Sequence, residues 1–181
     1  MSVEEKDFGF KRSYQVDLNP ELPSTGGWPL PVFTFGERGN ETVSVRVTPD
    51  GGKPWLASFA LETRGLLNGV YACPGPAHLV VLTGADGFLV PANDPGATEK
   101  LPIHPTVWVT RPTGTDLLLV GSFTDALAIG VGGIRWVTER LFTDDLEFVV
   151  GPPGTIHVRG RVGAQSEPTV IELDPATGRT L

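Results

Sequence analysis

The chain has 181 residues and a formal net charge of −7, enough length for one domain to bury a sizeable core without disulfides or metals. Its 23 glycines and 17 prolines favour many turns over long helices, and an acidic chain whose best basic run is Lys11-Arg12 is not built for nucleic acid. The single cysteine, Cys73, excludes an intrachain disulfide and suits a reducing compartment.

The charged start MSVEEKDFGFKR lacks the apolar core of a secretory leader. No apolar run reaches the length of a membrane span. The expected address is the cytoplasm, with no membrane partner.

In chain order, residues 1–12 are polar and expected to fray. Residues 13–18 (SYQVDL) alternate as a strand does. Residues 19–31 hold four prolines and two glycines and read as an extended loop. Residues 32–35 make a short strand, which the preceding Pro31 places at a sheet edge. Residues 1–42 are therefore read as an N-terminal arm carrying one or two edge strands, and residues 43–181 as a repeated domain.

The repeat begins at Val43. Residues 43–47 (VSVRV) alternate without a break, Pro49-Asp50-Gly51-Gly52 turns the chain, 55–61 alternate again, and 66–72 form a third run. The second unit runs 79–82 and 88–90, then crosses a turn-rich stretch to 107–110. The third holds four runs, 117–120, 126–129, 134–137 and 146–150, separated by Gly, Asp and Thr breaks. The fourth has only 156–159 and 169–173, followed by a turn. Unit starts at 43, 79, 117 and 156 are 36, 38 and 39 residues apart.

In units two and three the first strand is an unbroken apolar run, which implies a strand buried on both faces. Four short strands at a period near 40 are the signature of a propeller blade. An all-β sandwich or barrel with evenly spaced turns is the alternative. The expected fold is thus all-β, with antiparallel four-stranded meander units in a small propeller-like stack. The fourth unit lacks a strand, which residues 13–18 or 32–35 would lend, or which a second copy of the chain would supply as a homodimer through an open edge. Helix is confined to one turn at residues 138–142.

Two stretches resemble known sequences. Ile171-Glu172-Leu173-Asp174-Pro175-Ala176-Thr177-Gly178 resembles the strand and turn that end blades in quinoprotein-like propellers. Gly133-Ile134-Arg135-Trp136, with Leu141 and Asp144-Asp145-Leu146, is similar to a pattern in short, uncharacterised bacterial proteins. The first resemblance implies a blade. No cofactor-binding residue of quinoproteins matches a position here, so no cofactor is expected.

The chemistry-bearing residues are sparse. His78, His104 and His157 have no metal-ligand spacing with one another or with Cys73, so no metal site is expected. Gly121-Ser122-Phe123 is not a nucleophile elbow. Gly130-Val131-Gly132-Gly133 leads into a strand, so it reads as a hairpin, not a phosphate cradle. His104 stands in a proline-rich loop, where a solvated histidine is the plainer reading. Asp144 and Asp145, with Glu147, form the densest acidic spot. They converge only if the backbone turns there, and the plainer reading is a turn capped by an aspartate.

Most of Trp28, Trp55, Trp108 and Trp136 are expected in the core. Arg135-Trp136, beside the glycine hairpin, is expected as a surface contact. The binding candidates are therefore Arg135, Trp136, Asp144, Asp145 and His104, and no catalytic residue is assigned. The expected function is a non-catalytic module that binds another protein. The alternatives are a small-ligand or carbohydrate-binding domain using exposed Trp and Asp, and a hydrolase using Asp144, Asp145 or His104.

Overall fold

In the computed structural model, residues 3–21, 23, 26–37, 41–61, 66–84, 86–163 and 166–181 are described. Strand alternation sets the first sheet. In β4 (Glu41–Pro49), Val43, Val45 and Val47 are buried while Ser44, Arg46 and Thr48 face outward, because successive side chains leave a strand on opposite faces. β2 (Tyr14–Leu18) pairs antiparallel on one side of β4, and β5 (Trp55–Leu61) does so on the other. β3 (Val32–Phe35) runs parallel along β5 as an edge strand.

The second sheet takes β1 (Glu4–Lys6), β6 (Asn68–Ala72), β7 (His78–Thr83), β8 (Gly87–Pro91) and β9 (Glu99–Lys100), side by side in that order. The third is an unbroken antiparallel meander of β10 (Trp108–Thr110), β11 (Leu118–Gly121), β12 (Ala126–Gly130) and β13 (Gly133–Val137). The fourth has three strands, β14 (Asp144–Val149), β15 (Ile156–Arg161) and β16 (Thr169–Leu173).

The protein is thus all-β, built of small, mainly antiparallel sheets, and none closes into a barrel. The only helical element among the described residues is one 3-10 turn, Pro95–Ala97. None of their helices is long and apolar enough to cross a membrane.

The four sheets stack in chain order around three cores. Leu79 and Val81 of β7 join Val45, Val47 and Phe59 of the first sheet. Val80 and Leu82, on the opposite face of the same strand, meet Leu118, Val120, Leu127 and Ile129 of the third sheet. The remaining face of the third sheet, with Leu119, Ala126 and Ala128, packs on Leu146, Ile156, Val158 and Leu173 of the fourth. Unbroken apolar runs thus form the two inner sheets and alternating runs the two outer ones. Each buried Val or Leu stabilises by about 1.5–3 kcal/mol.

The outward faces of the end sheets are polar. The first presents Gln15, Asp17, Ser44, Arg46 and Ser58, and the fourth presents Glu147, His157, Arg159, Arg161 and Glu172. Among the described residues no core joins the fourth sheet back to the first, so the stack is open. Closing it into a ring would press those charged faces together at a desolvation cost.

Three indoles link neighbouring sheets. Trp55 Nε1 donates to Ala92 O at 2.7 Å, from the first sheet to the segment after β8. Trp108 Nε1 donates to Leu146 O at 2.9 Å, and Trp136 Nε1 to Pro175 O at 3.0 Å, both from the third sheet to the fourth. Gly121 leaves the room that Trp108 needs: a Cβ there would lie 2.0 Å from its Cε2.

Several expectations are corrected here. The strands group one place earlier than the sequence units imply. Residues 107–110 open the third sheet and do not close the second, and 146–150 open the fourth. The strands that open the third and fourth sheets, β10 and β14, are short or half-exposed, so the apolar run at 117–120 marks the second strand of the third sheet. The arm gives three edge strands, and 13–18 and 32–35 complete the first sheet, not the fourth. Residues 4–12 are held: β1 pairs with β6, and Arg111 sits 4.3 Å over the buried Phe10 ring and donates to Phe8 O. Residues 138–142 form no helical turn, because the Leu141 and Phe142 N–H groups bond instead to Thr124 O.

Candidate functional site

The fourth sheet and its borders carry the chemistry. β14 begins at the expected acidic spot, where a bulge sets in and Asp145 takes a φ of +59°. The backbone does turn there, yet the two carboxylates serve different partners. Asp144 Oδ1 accepts the Asp145 N–H at 2.8 Å. Asp145 Oδ2 lies 3.0 Å from Arg161 Nε, within ion-pair range but out of line for a hydrogen bond. One turn further along, Arg159 Nε donates to Glu147 Oε1 at 2.6 Å. The acidic spot is therefore matched by two arginines of β15.

His104 is elsewhere. It is exposed in the loop between β9 and β10, with Nδ1 3.4 Å from Asp86 Oδ1, which also holds Lys100 Nζ at 2.8 Å. His104 and the Asp144-Asp145 pair thus belong to different sheets and different charge networks. Among the described residues, no three His, Cys, Asp or Glu side chains assemble as a metal-ligand set.

Arg135 and Trp136 divide between surface and core. Arg135 is exposed on β13. Trp136 is 8% exposed and belongs to the core between the third and fourth sheets, so it is not a surface contact. Its ring packs against the turn after β16. Gly178 has a φ of +71°, and a Cβ there would lie 2.6 Å from Trp136 Cε3. That turn is the stretch resembling a blade end. Asp174 accepts the Ala176 N–H and the Thr177 hydroxyl, and these two bonds hold its carboxyl below the usual aspartate range, with Arg135 adding to the effect.

Two clefts flank the fourth sheet. The first, about 350 Å³, lies at the β14 side and is lined by Phe123, Asp145, Glu147, Arg159 and Arg161 among others. Phe123 is 43% exposed although its turn is tightly held. The Ser122 hydroxyl accepts the Thr124 and Asp125 N–H groups, and Phe123 O accepts the Leu146 N–H at 3.0 Å. The aromatic ring is presented by a rigid hairpin. The second cleft, about 680 Å³, runs between residues 137–142 and β16, with Val137, Leu141, Ile171, Arg140 and Arg179 on its walls.

Sequence reasoning missed Phe123 and this second groove. The available signal for Phe123 was an aromatic inside a polar Ser-Phe-Thr-Asp turn. Nothing in the sequence marks the groove, because its walls come from separate stretches of the chain that only the fold brings together. No protein-family model matches the chain, and no curated protein matches it.

Proposed function

We propose that the protein is a non-catalytic interaction module and that it binds another protein through the fourth sheet and its borders. One observation carries this reading. Of the eight large hydrophobic residues that are exposed among the described residues, Phe123, Val137, Val150, Val162, Val170 and Leu181 all lie on the fourth sheet or beside it. Apolar side chains gathered at one end and rimmed by charge are the composition of a binding face. Phe123 suits the anchor of such a face, since its hydrogen-bonded turn loses little backbone freedom on binding. The unpaired, buried Cys73 accords with the cytoplasm as the place of action, and the four-stranded meander of the third sheet accords with kinship to propeller blades.

The test is affinity capture from the host's own lysate with tagged wild-type protein and a Phe123→Ser variant. A stoichiometric partner recovered by the wild type and lost by the variant supports the reading. A partner retained by the variant, or none with either protein, contradicts it.

A second reading has its own observation. At the other end of the stack, Trp28, Pro23, Pro29, Arg46, Thr48 and Pro54 line a cleft of about 250 Å³. An indole face beside an Arg46–Asp17 ion pair at 2.6 Å suits a sugar ring. Titration with an oligosaccharide panel would shift the tryptophan emission of the wild type and not of Trp28→Phe. An unchanged spectrum across the panel sets this reading aside.

A further inference from the structure

Resting on the fourth sheet as the interface, we propose that the partner contributes an acidic extended segment that adds to β16 as a fourth strand. Three observations converge on that edge.

The first is the missing strand. Among the described residues the other sheets have four or five strands and this one has three. Its open edge is begun by the chain itself: the Leu181 N–H donates to Glu172 O at 3.0 Å, and the Asp174 N–H donates to Arg179 O at 2.8 Å. Glu172 and Asp174 therefore point their backbone groups away from β15. By the two-residue parity of an antiparallel ladder, Val170 points its N–H and C=O to the same side. That N–H and C=O bond to no backbone group among the described residues. An edge of this kind is a template for another strand.

The second is the groove of about 680 Å³ beside this edge. Val137, Leu141 and Ile171 supply apolar walls for alternate side chains of an added strand. Val162, 65% exposed, lines the groove too, while Val170, 50% exposed, faces the other side of the same edge, where the alternate residues of an added strand would meet it.

The third is charge. Eight arginines lie within the described residues, and Arg12, Arg46, Arg111, Arg159 and Arg161 each have a carboxylate within 4 Å. Among the described residues, the three without one are Arg135, Arg140 and Arg179. Arg140 and Arg179 line the groove, and Arg135 shares the exposed face of β13 with the groove residue Val137. Arg140 donates only to the carbonyls of Phe142 and Thr143. Arg135 acts on Asp174 across a distance, but that carboxylate is engaged within its own turn. One acid, Glu139, shares the rim. In a chain of net charge −7, a cluster of arginines without carboxylates selects an acidic segment over a basic one.

The test uses a short fluorescent peptide of alternating glutamate and valine, its lysine-for-glutamate counterpart, and the full-length protein. Binding is read by anisotropy and by amide hydrogen exchange. The glutamate peptide is expected to bind, to slow exchange at the Val170 amide, and to weaken roughly tenfold or more with Arg140→Glu/Arg179→Glu. Val170→Pro removes the edge donor while leaving the ladder to β15 intact, and is expected to abolish binding with an unchanged far-ultraviolet spectrum. Equal binding of the lysine peptide, binding that survives Val170→Pro, or no binding at all overturns the proposal. Self-association of the protein, lost in Val170→Pro, would show that a second copy occupies the edge and would overturn it too. Failure here leaves the broader reading to be decided by the Phe123→Ser capture, so the two fail separately.

Discussion

Each of Trp55, Trp108 and Trp136 spans a core and places its one polar atom on a carbonyl of the next sheet. Burying an indole contributes its large apolar area only if the N–H finds a partner. Trp55→Phe keeps most of the ring and strands the Ala92 carbonyl, and is expected to cost about 1–3 kcal/mol in urea unfolding. An unchanged midpoint would show that the bond contributes nothing. Gly178→Ala forces a side chain into the left-handed region and against Trp136. It is expected to cost at least about 1–2 kcal/mol, and a neutral result would mean the turn relaxes freely. Asp174 gives a pH signature. Its folded carboxyl is held below the ordinary range by the Ala176 N–H and the Thr177 hydroxyl. Its stabilising effect is therefore present above the ordinary aspartate value of about 3.9 and is lost as the pH falls through the lower folded value. Wild type should melt above Asp174→Asn at neutral pH, and the gap should close in acid. A gap that does not change with pH would contradict the assignment. Cys73 sits fully buried, and burial raises its thiol well above the usual range. It should resist alkylation until denaturant is added, whereas labelling of the native protein would refute that placement.

At the scale of elements, hydrophobic pattern and position in the stack correspond. Alternating runs such as VSVRV form outer sheets with one wet face, and solid runs such as 79–82 and 117–120 form inner sheets flanked on both sides. That much was legible in the sequence, as was the open edge in the last unit. The sheet boundaries were not, because β10 and β14 are short or half-exposed and look like the tails of preceding units. Of the candidate site, the exposed Arg135 and the aspartate-capped turn at Asp144-Asp145 were legible. The burial of Trp136 was not, since it depends on Gly178, some forty residues on. Nor did the sequence reveal that Arg159 and Arg161 neutralise Glu147 and Asp145, because only strand register brings them together. Element by element, mutations should follow the same division. Leu119→Ala, inside the third core, is expected to cost about 2–5 kcal/mol. Ser58→Ala, on the wet face of the first sheet, should stay within about 0.5 kcal/mol. Similar costs at both positions in equilibrium unfolding would contradict the layering.

For the whole molecule, the central claim is an open stack whose fourth sheet has one covered face and one free edge. The most direct measurement is native-state amide hydrogen exchange, followed strand by strand. Strands flanked on both faces open only with global unfolding, whereas a terminal sheet opens locally at lower free energy. The open stack predicts slowest exchange in β7, β8, β11 and β12, and faster exchange in β15, β16 and the outer strands of the first sheet. Protection of the fourth sheet equal to that of the third would mean its outer face is covered, as in a closed ring, and would contradict the account.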